Sequence, residues 1–126
     1  METADARPPV WVGHVVVSAP DVEAASAFWQ TVGMRLVVQR DDFAVLELRG
    51  GTHVVVVPTV AGGDARSDEV PFDVMVDDLE ATWKKFGEAG LNPTPITSGT
   101  IHSSFTINDP AGRSVTVNSS HVVGPV

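Results

Sequence analysis

The chain contains no cysteine. Disulfides, thiolate metal sites and a cysteine nucleophile are thereby excluded, and a reducing cytosol suits the sequence. No run approaches the roughly 18 apolar residues that a membrane helix needs, and residues 1–9 hold no apolar stretch of signal-peptide length. The expectation is a cytoplasmic protein away from membranes. Basic side chains are scarce too, eight Lys and Arg against sixteen Asp and Glu, for a formal net charge of −8. A surface of that sign repels phosphate, which disfavours nucleic acid and anionic lipid as partners, and solubility alone accounts for it. What is present is 126 residues of which 43% are hydrophobic, enough to build one core without staples.

Residues 1–9 are polar and proline-rich and read as a disordered N-terminus, with the domain running over 10–121. Residues 11–18 are β-branched and apolar on both faces, as in a strand covered on both sides. Pro20 and Asp21 end it. Asp21 is a good N-cap, and a helix starting there places Val22, Ala25, Phe28, Trp29 and Val32 on one stripe before Gly33 stops it. Strands are predicted over 35–40, 43–49 and 52–58, separated by Asp41-Asp42 and Gly50-Gly51. Module one is therefore βαβββ, over 10–59.

Residues 60–70 are small and charged without an apolar period, and read as an exposed linker. The same order then restarts over 71–121. A strand at 71–76 leads to Asp77-Asp78 and to a helix with Leu79, Trp83, Phe86 and Ala89 inward, ended by Gly90. Strands near 92–96, 101–108 and 114–118 follow. Asp21-Val22-Glu23-Ala24 matches Asp78-Leu79-Glu80-Ala81, Trp29 matches Phe86, Gly33 matches Gly90 and Met34 matches Leu91, all at one offset of 57 residues. A shared register is better explained by duplication than by two unrelated amphipathic helices.

Two βαβββ modules, capped helices ending in aromatic-x-x-x-Gly, and Asp109-Pro110-Ala111-Gly112 before a last strand resemble the vicinal-oxygen-chelate superfamily, the glyoxalase, bleomycin-resistance and extradiol-dioxygenase group. The likeness runs from about Val12 to Asn118. It implies an α+β fold in which two tandem modules form a cupped mixed sheet with helices on the outer face, commonly as a dimer. It also implies four inward positions at which members hold a divalent metal. Here those positions fall on His14, Pro71, Val56 and Thr116, and only the first keeps a ligand. A hard-cation or zinc site needs at least three good N or O donors, so neither a metal nor another cofactor is expected. A shift by one residue substitutes Val55, Phe72 and Val115 or Val117, which does not rescue the set. His53, by alternation, is expected to face away from Val54 and Val56, and His121 to lie in a solvated tail.

Alternation also supplies a groove lining. Val12, His14 and Val16 come from the first strand, Val54, Val56 and Pro58 from the fourth, and Asp73 and Met75 from the fifth. His102, Ser104 and Thr106 come from the seventh, and Ser114, Thr116 and Asn118 from the eighth. Phe43, Val45 and Glu47 add a wall if Ala44, Leu46 and Leu48 face the core. Apolar walls with a few convergent polar groups suit a small-molecule pocket. For His102, Ser104 and Thr106 the alternative is the solvated side of an edge strand. Trp11 either stacks on a planar ligand or covers a dimer seam. Trp29, Trp83, Phe28 and Phe86 read as core.

The resemblance to metal-free, bleomycin-resistance-type members implies a non-catalytic homodimer that sequesters a bulky, aromatic small molecule or planar antibiotic. Two other readings stand beside it. One is an enzyme of the glyoxalase, epimerase or dioxygenase type with a displaced metal around His14, Asp73 and His102. The other is a cofactor-free biosynthetic enzyme with His14 or His102 as base.

Overall fold

A computed structural model describes residues 4–60 and 69–126. The elements are β1 (His14–Ala19), α1 (Val22–Val32), β2 (Arg35–Gln39), β3 (Ala44–Glu47), a 3₁₀ turn at Arg49–Gly51 and β4 (His53–Pro58). After the connection come β5 (Val74–Val76), α2 (Leu79–Glu88), β6 (Thr97–Ser98), β7 (Ser103–Asn108) and β8 (Ser114–Ser119). Most of the expected linker, residues 61–68, lies outside the described residues. The βαβββ order is thus present twice. Each module makes its own four-stranded mixed sheet, β1-β4-β3-β2 and β5-β8-β7-β6, in which only the outer pairs β1–β4 and β5–β8 are parallel.

The helices begin and end as their sequences dictate. The Asp21 carboxylate accepts from the Ala24 N–H and the Asp78 carboxylate from the Ala81 N–H, each at 3.0 Å, which satisfies a donor that the first turn leaves free. At the far ends Met34 N–H reaches the Trp29 carbonyl and Leu91 N–H the Phe86 carbonyl, both at 3.0 Å. These are the six-to-one closing bonds of a helix that stops on a residue with positive φ, here Gly33 (φ 133°) and Gly90 (φ 81°).

One core runs through both modules. In the first, Trp29 lies beneath α1 with Phe28 edge-on at 4.8 Å, and in the second Phe86 of α2 meets Phe105 of β7 edge-on at 6.0 Å. Phe72, just before β5, packs on Trp29 at 5.2 Å and joins the two halves. The Arg49–Asp77 ion pair also spans them, but both side chains are exposed and such pairs add little. In the last hairpin Asp109 is buried, and its carboxylate accepts from the Ala111 and Arg113 N–H groups and from Arg113 Nε. Gly112 (φ 82°) closes that turn, so the Asp-Pro-Ala-Gly sequence is a self-satisfied corner.

Several expectations need correction. Trp83 is 39% exposed and donates its indole N–H to the Thr94 carbonyl at 2.8 Å, so its polar edge draws the ring to the rim rather than under the sheet. Ala89 is exposed as well. The strand expected near 92–96 forms instead at Thr97–Ser98, because Pro93 and Pro95 have no N–H to pair. Between them Thr94 alone bonds β7, donating its N–H to the Thr106 carbonyl. β5 starts at Val74, not at 71, since Phe72 turns inward to Trp29. β7 starts at Ser103 after a turn in which Gly99 N–H bonds the His102 carbonyl. β1 is an edge strand with one face covered, not two.

Asp109→Ala removes three acceptor contacts from a buried site and leaves Arg113 without its partner. Chemical denaturation is expected to show a loss of about 3 kcal/mol, against about 1 kcal/mol for Asp78→Ala at an exposed cap.

Candidate functional site

Among the described residues, each sheet has one face against its helix and one left open. In the first, Ala44, Leu46, Val54 and Val56 are fully buried on the helix side, together with Val17 and Ala19. Strict alternation then turns His14, Val16 and Ser18, Val45 and Glu47, and His53, Val55 and Val57 to the other face. Val54 and Val56, expected in the groove lining, are therefore core residues. The run Val54-Val55-Val56-Val57 offers no alternation from which to choose its inward set, and tertiary packing chooses it. His53 faces away from Val54 and Val56 as expected, but that side is the open face, so it stands beside His14.

Strand register aligns four polar residues into one row. β1 pairs with β4 at His14–His53, β4 with β3 at His53–Glu47, and β3 with β2 at Glu47–Arg35. The row is joined by contact as well. Arg35 Nε donates to Glu47 Oε2 at 2.9 Å, with a second bond from the same guanidinium. His53 Nε2 lies 3.1 Å from Glu47 Oε1, and the His14 and His53 rings are 5.6 Å apart. The Arg35 guanidinium, and then His53, hold the Glu47 carboxyl below its ordinary range. Glu47 is thus an anion at neutral pH with both oxygens engaged. Val16 stands 60% exposed beside the row.

The second sheet's open face is milder chemically. Asp73 accepts from the amide of Asn118, and Met75 pairs in register with Asn118. Ser104 and Thr106 of β7 lie opposite Asn118 and Thr116 of β8. The Thr106 hydroxyl is 3.3 Å from that of Thr94. Met75 is 46% exposed, whereas Asn118 is buried by its neighbours. His102 lies one residue before β7, half-buried, its ring stacked on His121 at 5.5 Å, and its buried Nδ1 has no hydrogen-bond partner among the described residues. His121 is exposed past β8, as expected of a solvated tail residue, and its ring also meets that of His102. Phe43 is half-buried at the start of β3. Trp11 is 67% exposed and lies over Gly51, whose Cβ, if it had one, would fall 3.7 Å from the indole nitrogen. A separate cleft of about 800 Å³ opens on the helix side, between the start of α1 and the end of β2, walled by Asp21, Glu23, Gln30, Gln39 and Arg40 and remote from the histidine row.

The metal positions implied by the superfamily do not fit a metal here. With the register observed, the open-face residues of β4 near those positions are Val55 and Val57, and those of the second module are Asp73, bonded to Asn118, and Thr116. Among the described residues no group of three His, Asp or Glu is placed to hold a metal ion.

Arg35 and His53 are absent from the lining read off the sequence. The hairpin from Glu47 to His53 is symmetrical about Gly50, which is enough to pair those two residues across the turn. That signal sets register where hydrophobic alternation cannot.

Residues 14–118 match the family model described as a glyoxalase-like domain, and the chain belongs to that family, within the vicinal-oxygen-chelate superfamily. No curated protein sequence matches it. Solved structures share the fold at low identity. TnmS3, an antibiotic binding protein from Streptomyces sp. CB03234, is 20% identical with a TM-score of 0.74, over 87% of this chain and 95% of that one. Lactoylglutathione lyase from Agrobacterium tumefaciens is 20% identical with a TM-score of 0.67, over 90% and 96%. A glyoxylase/bleomycin resistance protein/dioxygenase domain from Frankia sp. EAN1pec is 18% identical with a TM-score of 0.68, over 90% and 100%.

The depressed Glu47 pKa carries a sign. A carboxylate whose folded pKa lies below its unfolded value stabilises the fold above the unfolded pKa, and that contribution is lost as pH falls through the folded one. The difference in melting temperature between the parent and Glu47→Gln is expected to be largest near neutrality. It should shrink as the pH falls through and below about 4.3, the ordinary value for glutamate.

Proposed function

We propose that this glyoxalase-like protein is a metal-independent, non-catalytic binder of a bulky apolar or aromatic small molecule, a planar antibiotic among the candidates. The observation that carries the reading is the open face itself. Val16, with Trp11 and Val12 at the rim, is exposed on the open face of the first sheet, and Met75 on that of the second, each beside fixed polar groups. Exposed apolar side chains grouped around oriented polar ones are the make-up of a ligand site. His14, Val16, Glu47, Asp73, Met75, Ser104, Thr106 and Thr116 supply its contacts, with Asn118 acting through Asp73 and with Phe43, His102 and Trp11 at the margins.

Among the described residues, the outer strands β1 and β5 each pair on one side only. A second copy docked along them covers the open faces and turns two shallow surfaces into enclosed sites, so the binder is a homodimer in this reading. The antibiotic-binding structural neighbour supports it through the fold alone. The donor set argues against the metal-enzyme alternative, because Pro71, Thr116 and valines stand where ligands would be needed.

Titration with a panel of planar polycyclic antibiotics is expected to quench tryptophan fluorescence saturably, with the same affinity in EDTA. Val16→Glu and Met75→Glu should each weaken binding about tenfold or more, the equivalent of at least 1.4 kcal/mol. Absence of saturable binding across the panel, or its loss in chelator, overturns the proposal.

A further inference from the structure

The row on the first module's open face does more than line a surface. Arg35 fixes Glu47, and Glu47 fixes His53 through Nε2. An ionised carboxylate can only accept, so the hydrogen bond requires the proton of His53 to sit on Nε2. The lone pair of the neutral ring is thereby placed on Nδ1. Such an arrangement is that of a base with a chosen tautomer, its charge already compensated should it gain a second proton. The imidazole is partly exposed, and β1 and β4 set His14 and the apolar Val16 and Val55 around it.

Ligand charge follows from what the row leaves free. A permanently cationic group would meet Arg35 and two imidazoles, and the one carboxylate that could attract it has both oxygens engaged. A ligand carboxylate, already ionised, needs a strong cation, and Arg35 is committed to Glu47. A weakly acidic hydroxyl matches the free nitrogen, being a donor that can also give up its proton.

We propose that the ligand carries a weakly acidic hydroxyl, a phenol or an enol, and that His53 accepts its proton on binding. The O–H bond breaks, its electron pair stays on the oxygen, and the proton forms an N–H bond at His53 Nδ1. The product is an imidazolium beside Glu47 facing a phenolate or enolate, with no net change in charge. His14 supplies a ring N–H to the same oxygen. The inference rests on the open-face binding reading above, and it adds the ligand's functional group and its bound protonation state.

The test uses 4-nitrophenol, whose phenolate is yellow and whose neutral form is not, and its methyl ether 4-nitroanisole, which cannot ionise. Both are titrated at a pH about one unit below the phenol's own pKa, where the free phenol is about 90% protonated. Binding is read from tryptophan fluorescence and ionisation from the phenolate band. With the parent protein both probes should quench, and the phenolate fraction should rise severalfold, saturating with the bound phenol. In His53→Ala, and in His53→Asn should the first variant fold poorly, the bound phenol is expected to stay neutral. In Glu47→Gln the band should fall severalfold, because the tautomer is no longer fixed.

Quenching by the phenol without a phenolate band, or a band that persists in both His53 variants, refutes the proton transfer and leaves the binding reading intact. Failure of both probes to quench tells against the open-face site itself, and the assignment of His53 falls with it.

Discussion

Four side chains on the hidden face of the first sheet govern its exposed chemistry. Ala44, Leu46, Val54 and Val56 are sealed beneath α1, and a strand that commits its even positions to the core must commit its odd positions to the other side. His53, Glu47 and, through parallel pairing, His14 are on the open face for that reason alone. A slip of β4 by one residue would exchange Val54 and Val56 for Val55 and Val57 in the core and bury His53 with them. The valines balance, so the cost of desolvating an imidazole is what disfavours the slipped register.

Duplication supplied the second module with the same frame but not with the same row. Val17 pairs with Val56, and Val74 with Val117, which makes Ser114 the counterpart of His53 and Asn108, its partner, the counterpart of Glu47. A serine and an asparagine can position a ligand but do not exchange protons near neutrality. At these two positions the first half carries titratable side chains and the second carries neutral ones, although their helices start and stop through the same hydrogen bonds.

The repeat, the caps and the closing glycines were legible because each is a local rule. A carboxylate satisfies a free N–H three residues on, and a glycine accepts positive φ, whatever lies elsewhere in the chain. The open-face membership of Glu47, with Ala44 and Leu46 inward, was legible from β3, where apolar and polar residues alternate. In β4 the valine run carried no such mark. The hairpin symmetry about Gly50 did carry one, and it points to the Glu47–His53 pair. Trp83 was misplaced for a different reason, since helical periodicity does not know that a carbonyl at Thr94 will hold the indole N–H at the rim.

By itself the sequence determined the duplicated βαβββ order, the helix boundaries and the want of metal-ligating residues at the expected positions. All of these depend on residue type and near neighbours. Only the tertiary structure decided which valines are core, which histidine stands beside His14, and that Arg35, Glu47, His53 and His14, drawn from four strands, form a single connected row. Register and facing are properties of strands packed together, and four residues spread from position 14 to position 53 become neighbours only when one sheet has chosen its inside.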